Sequence, residues 1–125
     1  MSDAKEKSSY SREELEEFRV IIQEKLAESR AEFKQLKDNL RSTTEANEEG
    51  FNPSEYGTEM SEKEHTEMLM SRTAKFIEAL DRAMARIESG TYGRCKVTGK
   101  LIPKERLRLV PHTETSIEAK LQQNK

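Results

Sequence analysis

From Leu15 onward the sequence sets an apolar or small residue at every third or fourth position: Phe18, Ile22, Leu26, Ser29, Phe33, Leu36 and Leu40. The steps are 3, 4, 4, 3, 4, 3 and 4, and no Gly or Pro interrupts them. That spacing gathers the side chains into one narrow stripe of an α-helix, the seam of a coiled coil. A stripe so narrow cannot close a round core and needs a second helix laid along it. The sequence supplies one, through Met68 or Leu69, Thr73, Phe76, Leu80, Met84 and Ile87, with Gly90 as the C-cap after Ser89. Capping boxes of the S-x-x-E form, Ser11 to Glu14 and Ser61 to Glu64, open the two runs. The pattern predicts helices over about residues 11–41 and 61–89, folded back as an antiparallel hairpin. A tip loop over about 42–60 joins them, punctuated by Gly50, Pro53 and Gly57. Residues 1–10 are small and polar and are expected to be flexible.

Composition agrees with a thin core. Charged residues make up 37% of the 125-residue chain, hydrophobic residues 33%, and there is no Trp; an average globular domain is ~25% charged. A disordered chain of this polarity usually carries a large net charge, whereas 22 basic against 24 acidic residues leave only −2. No run approaches the ~18 apolar residues of a membrane span, and Met1 to Tyr10 lacks the apolar core of a signal peptide. A lone Cys95 excludes an intramolecular disulfide and fits a reducing, cytoplasmic setting.

After Gly90 the character changes. Residues 91–125 are read as a small knob, with turn signals at Tyr92-Gly93 and Thr98-Gly99 and a short final helix through Ile117 and Leu121, capped by Thr113. Charge is segregated: residues 43–70 hold eight Glu against one Lys, a net of −7, and residues 91–111 hold six cations against one Glu, a net of +5. Catalytic motifs are missing. There is no H-E-x-x-H, Walker loop or G-x-S-x-G, and His65 and His112 stand apart. Cys95 is flanked by Arg94 and Lys96 but has no evident base, so the chain reads as a non-enzyme. The knob's one aromatic, Tyr92, gives little for base stacking, and sequence-specific DNA binding is not expected.

The stretch Gly90-Thr-Tyr-Gly-Arg-Cys-Lys-Val-Thr-Gly-Lys-Leu-Ile-Pro-Lys-Glu-Arg-Leu-Arg-Leu-Val-Pro111 resembles the zinc-finger knob of the bacterial DksA/TraR family. The family pattern is a G-x-Y/F-G turn, a C-x-x-C-G knuckle, an I-x-x-x-R-L segment, a Pro and a second C-x-x-C. Gly90 to Gly93, Gly99, Ile102, Arg106, Leu107 and Pro111 fall in register, and a helical hairpin upstream is also the family's architecture. The four cysteine positions map to Cys95, Thr98, Ser116 and Ala119. One thiolate among them is too few for a structural zinc site, so a zinc-free member is expected. In place of the metal, Leu101, Ile102, Leu107, Leu109, Val110, Ile117 and Leu121 are expected to pack together, with Thr98 and Ser116 hydrogen-bonded across the site.

The resemblance implies a transcription regulator that binds RNA polymerase and inserts its hairpin tip into the secondary channel. The family's Asp-Pro-x-Asp-x-Ala tip corresponds to Asn52-Pro-Ser-Glu55-Tyr-Gly57, which keeps the second acid as Glu55, loses the first at Asn52 and exchanges Ala for Gly57. Arg72 matches a second-helix cation that lies near the polymerase. The family's site for the alarmone ppGpp maps to Ala79, Val110 and Lys120; with only Lys120 cationic, weak polyphosphate binding is expected. The competing reading is a coiled-coil scaffold that never meets polymerase.

Overall fold

A computed structural model describes residues 9–49 and 56–123, with side chains for residues 9–42 and 61–122. It is mainly helical: α1 (Arg12–Glu49), α2 (Tyr56–Ser89), α3 (Lys104–Leu109) and α4 (Ile117–Gln123). The two long helices pack together, and among the described residues the only β-pairing is an isolated antiparallel bridge between Arg94 and Leu101. No helix among the described residues is long and apolar enough to cross a membrane.

Both long helices exceed the bounds that the apolar stripe predicts. α1 runs to Glu49 rather than ending near Arg41, and α2 starts at Tyr56 rather than near Ser61. A fading stripe is not a stop signal. Ser42, Thr43 and Thr44 cost a helix only about 0.7 kcal/mol or less apiece, and Glu45, Ala46, Glu48 and Glu49 follow before the first glycine, at position 50. The start of α1 is as read: the Glu14 N–H donates to Ser11 Oγ at 3.1 Å, and the Ser11 N–H to Glu14 Oε1 at 2.8 Å. These two bonds satisfy two of the amide groups a helix start leaves unpaired.

The chain divides into two units, one of residues up to Leu26 with Ala79 onward, the other Ala27–Glu78. In the first, Phe18, Ile22 and Leu26 of α1 and Leu80, Ala83 and Ile87 of α2 are all buried. The stripe on α2 passes through Ala83, and Met84 beside it is only half-buried. In the second unit the seam continues through Ser29, Phe33 and Leu36 of α1 and Leu69, Thr73 and Phe76 of α2. Here the most buried side chains are the polar ones, Ser29 and Thr73, while the Phe and Leu residues are half-exposed. Met68 is 61% exposed, which leaves the seam to Leu69.

Tyr10 is not frayed. Its hydroxyl donates to the Ile102 carbonyl, its ring lies 5.9 Å from that of Phe18, and the Lys104 ammonium stands 5.9 Å from the ring centroid. Phe18 in turn meets Tyr92 with ring centroids 5.4 Å apart. Three aromatics from the chain's start, α1 and the finger thus form one buried or half-buried cluster. Tilted ring pairs of this kind contribute roughly 0.5–1.5 kcal/mol beyond area burial. The polar periphery of the first unit is tied as well: Glu14 pairs with Lys104 at 2.6 Å and Glu17 with Arg108 at 3.1 Å. At least two of the six finger cations are therefore matched by α1 acids, and the net charge of the segment overstates how basic that surface is.

Candidate functional site

The finger begins where α2 ends. Gly90 has φ +80°, and the Thr91 and Tyr92 amides both donate to the Arg86 carbonyl, at 2.9 and 3.1 Å. This left-handed exit caps the helix and turns the chain inward. Tyr92 is fully buried, and its hydroxyl donates to the Pro111 carbonyl at 2.8 Å. Burial is the main reason its ionisation lies well above the usual tyrosine range. Gly93 is required twice over: φ is +89°, and a Cβ there would fall 2.6 Å from the Tyr10 ring.

The knuckle follows. The Cys95 N–H donates to the Lys100 carbonyl and the Gly99 N–H to the Cys95 carbonyl, both at 2.8 Å. Gly99 supplies the positive φ (+75°) that reverses the chain. Then comes α3, an element that turn signals and apolar spacing alone do not predict. Its six residues Lys104–Leu109 bury one side chain, Leu107. Arg106, on the same helix, donates to the Thr115 carbonyl at 2.8 Å and to Thr113 Oγ1 at 3.2 Å. The I-x-x-x-R-L residues are therefore structural: Ile102 and Leu107 fill the core, and Arg106 clamps the loop into α4. Arg86 adds a bond to the His112 carbonyl at 3.4 Å and an ion pair with Glu114 at 3.9 Å.

Ser116, not Thr113, caps α4. The Ala119 N–H donates to Ser116 Oγ at 3.1 Å, while the Thr113 hydroxyl donates to the Thr115 carbonyl at 3.0 Å within a local turn. The four positions aligned with the family's cysteines do come together. Cys95 is buried; the Thr98 and Ser116 amides donate to its sulfur at 3.5 and 3.4 Å, and Ser116 Oγ lies 3.8 Å from that sulfur. Thr98 and Ser116 thus bond to Cys95 rather than to each other. Ala119, the fourth position, is fully buried. Burial pushes the Cys95 thiol up, but hydrogen bonds from the Thr98 hydroxyl and the Thr98, Ser116 and Val97 amides outweigh it, bringing the thiol down to about 6. This donor set does not fit zinc. One thiol, two hydroxyls and a methyl cannot make a tetrahedron of soft ligands, and the described residues hold no group of three His, Cys, Asp or Glu placed for a metal.

The expected apolar replacement for the metal is only partly present. Ile102 and Leu107 are fully buried, but Leu109 is 80%, Ile117 57% and Leu121 62% exposed. Leu109 and Ile117 instead line an open groove with Leu101, Pro103 and Val110. Both helices are too short to present a full apolar face inward. Tyr92, Cys95, Pro111, Thr113 and Ala119 take the interior in their place.

Ala79, Val110 and Lys120 do line one hollow, together with Arg82, Lys96, Arg106 and His112. Burial, then the neighbouring Arg86, Lys120, Arg106 and Arg82, hold the His112 imidazole below its usual range. Sequence reasoning missed Arg82 and Lys96 here. The available signal was helical spacing, since Arg82 follows Ala79 by one turn on the same face. Arg72 is exposed on α2, beside Ser29, Glu32 and Phe76. Of the tip residues, Asn52 and Glu55 lie outside the described residues, and Gly57 falls in the first turn of α2.

Comparison with known proteins bears on this geometry. Residues 90–121 match the family model for the prokaryotic dksA/traR C4-type zinc finger. General stress protein 16O of Bacillus subtilis is 32% identical over 65 residues, 52% of this chain and 40% of that protein. The RNA polymerase-binding transcription factor DksA of Caulobacter vibrioides is 42% identical over 48 residues, 38% of this chain and 34% of that protein. The chain thus matches less than half the length of these relatives. The structure of transcription factor DksA2 from Pseudomonas aeruginosa superposes with a TM-score of 0.80 at 26% identity, over 89% of this chain and 83% of that one. The finger at residues 90–121 is thus of the dksA/traR type, and the paired helices that carry it share the fold of DksA2.

Proposed function

We propose that this protein is a bacterial transcription regulator, not an enzyme, that binds RNA polymerase and enters its secondary channel with the tip between α1 and α2. The observation that carries the proposal is the fold likeness to DksA2 over 89% of the chain, which spans the helices as well as the finger. In this reading Asn52, Glu55 and Gly57 form the polymerase-contacting tip, Arg72 contributes a polar contact from α2, and the setting is the cytoplasm. Glu55 delivers a negative charge that competes for basic groups or perturbs a nearby metal ion, and it catalyses nothing itself. The protein requires no cofactor. Binding of ppGpp is expected to be weak, because Ala79 and Val110 present no cation where the family site has them, although Arg82, Lys96, Arg106 and Lys120 line the same hollow.

Affinity capture with the purified chain from a bacterial lysate, followed by identification of the retained subunits, tests the binding. Recovery of polymerase core subunits is expected. A stable homodimer that retains no polymerase would establish the scaffold reading instead. For the tip, Glu55→Ala is expected to abolish the effect on initiation in a reconstituted assay while polymerase binding stays within about threefold, about 0.7 kcal/mol. A variant that regulates like the parent overturns the tip assignment.

A further inference from the structure

The family's finger model is of C4 type, and this chain keeps one of the four thiols, yet its finger segments are still brought together around that sulfur. We propose that the Cys95 sulfur is the cross-link of a metal-independent finger, accepting N–H bonds from both segments that a metal would otherwise join. The inference concerns how the finger is held, so the polymerase reading stands or falls separately.

The geometry places each partner in one of those two segments. The Thr98 amide, in the knuckle, is 3.5 Å from the sulfur, and the Ser116 amide, at the start of α4, is 3.4 Å from it. Neither hydroxyl is idle: Thr98 Oγ1 accepts the Lys100 N–H at 3.2 Å, and Ser116 Oγ accepts the Ala119 N–H at 3.1 Å. Each substitution has therefore turned a ligand position into a local cap, while the remaining sulfur spans the two. A backbone bond from the Lys96 N–H to the Glu114 carbonyl, at 2.9 Å, runs parallel to it. Ala119, fully buried, closes the fourth position with a methyl group.

Sulfur suits this role better than oxygen. An oxygen acceptor prefers N–H donors at about 2.9–3.0 Å, so a serine at position 95 could not satisfy both amides where they stand. A buried sulfur that loses its donors, or donors that lose their sulfur, leave polar groups unsatisfied at the centre of a small unit.

The test uses the whole purified chain. Elemental analysis should find no stoichiometric zinc, and the thermal midpoint should not move when a chelator is added. Cys95→Ala should lower the midpoint by about 4–8 °C, with Cys95→Ser intermediate. Amide hydrogen exchange at Thr98 and Ser116 should speed by about tenfold in Cys95→Ala, in line with the contribution of one good hydrogen bond. Exchange in the middle of α2 should change less than at Thr98 and Ser116. If Cys95→Ala does not fold, Cys95→Ser carries the same exchange comparison. One zinc per chain, a chelator-dependent midpoint, or variants that melt and exchange like the parent would overturn the proposal.

Discussion

The two units use the same pair of helices and bury them differently. In the unit that carries the finger, seam positions hold Phe18, Ile22, Leu26, Leu80, Ala83 and Ile87, and each is at most 6% exposed. In the Ala27–Glu78 unit, the most buried seam positions hold Ser29 and Thr73, 5% and 9% exposed. The first has a further layer, Tyr92, Ile102 and Leu107, to cover its helices; among the described residues the second has one helix against another. A two-helix seam excludes too little water to bury large side chains fully, whereas a third element closes the core. Stability should therefore concentrate in the finger unit.

The largest test of that contrast is Phe18→Ala. It removes a fully buried ring that touches both Tyr10 and Tyr92, and a loss of about 3–5 kcal/mol is expected by denaturant titration. Phe76→Ala, in the other unit at a half-exposed site, should cost no more than about half as much. Equal losses would show that the units do not differ. Ser116→Ala comes next. It removes the α4 cap, and about 1 kcal/mol of stability should be lost, with the largest rise in amide exchange in α4.

A smaller effect concerns pH. Burial, aided by surrounding cations, holds the folded His112 below the ordinary histidine value, so the unfolded chain takes up the proton first. The stability that neutral His112 preserves is complete above about pH 6.5 and is lost as pH falls below it toward the folded value. His112→Gln should flatten that acid limb of the stability profile; an unchanged limb would assign it to other groups. Smallest is the Lys104 to Glu14 pair, partly exposed at both ends. Lys104→Met should change stability by about 0.2–1 kcal/mol, and less at high salt.

Much of this was legible because local chemistry decides it. The seam from Leu15 to Leu40, the Ser11 capping box and the glycines at 90, 93 and 99 follow from spacing and from conformations that few residues can adopt, while the finger register came from the family resemblance. What was not legible depends on partners far away in sequence. Nothing near Tyr10 says that it will meet Gly93, and the choice of Ala83 over Met84 depends on how closely the opposing helix approaches. The exposure of Leu109, Ile117 and Leu121 is hidden for the same reason: apolar content is visible in the sequence, but whether a six- or seven-residue helix can turn it inward is not. Cys95 was legible as a remnant, though its acceptance of two backbone amides was not, because main-chain donors leave no mark in residue identity.

The Tyr10 and Glu17 contacts also have a kinetic consequence. Arg108 reaches Glu17 across 91 residues of sequence, and the finger unit is assembled from segments on either side of the whole Ala27–Glu78 stretch. Loop closure of that span costs entropy before any finger contact returns it, so α1 and α2 should pair early and the finger should dock late. On the ribosome, Phe18, Ile22 and Leu26 would wait uncovered until residues beyond Ala79 emerge. A nascent chain stalled before that point would present an apolar stripe to chaperones and proteases, and emergence of the segment beyond Ala79 would withdraw it.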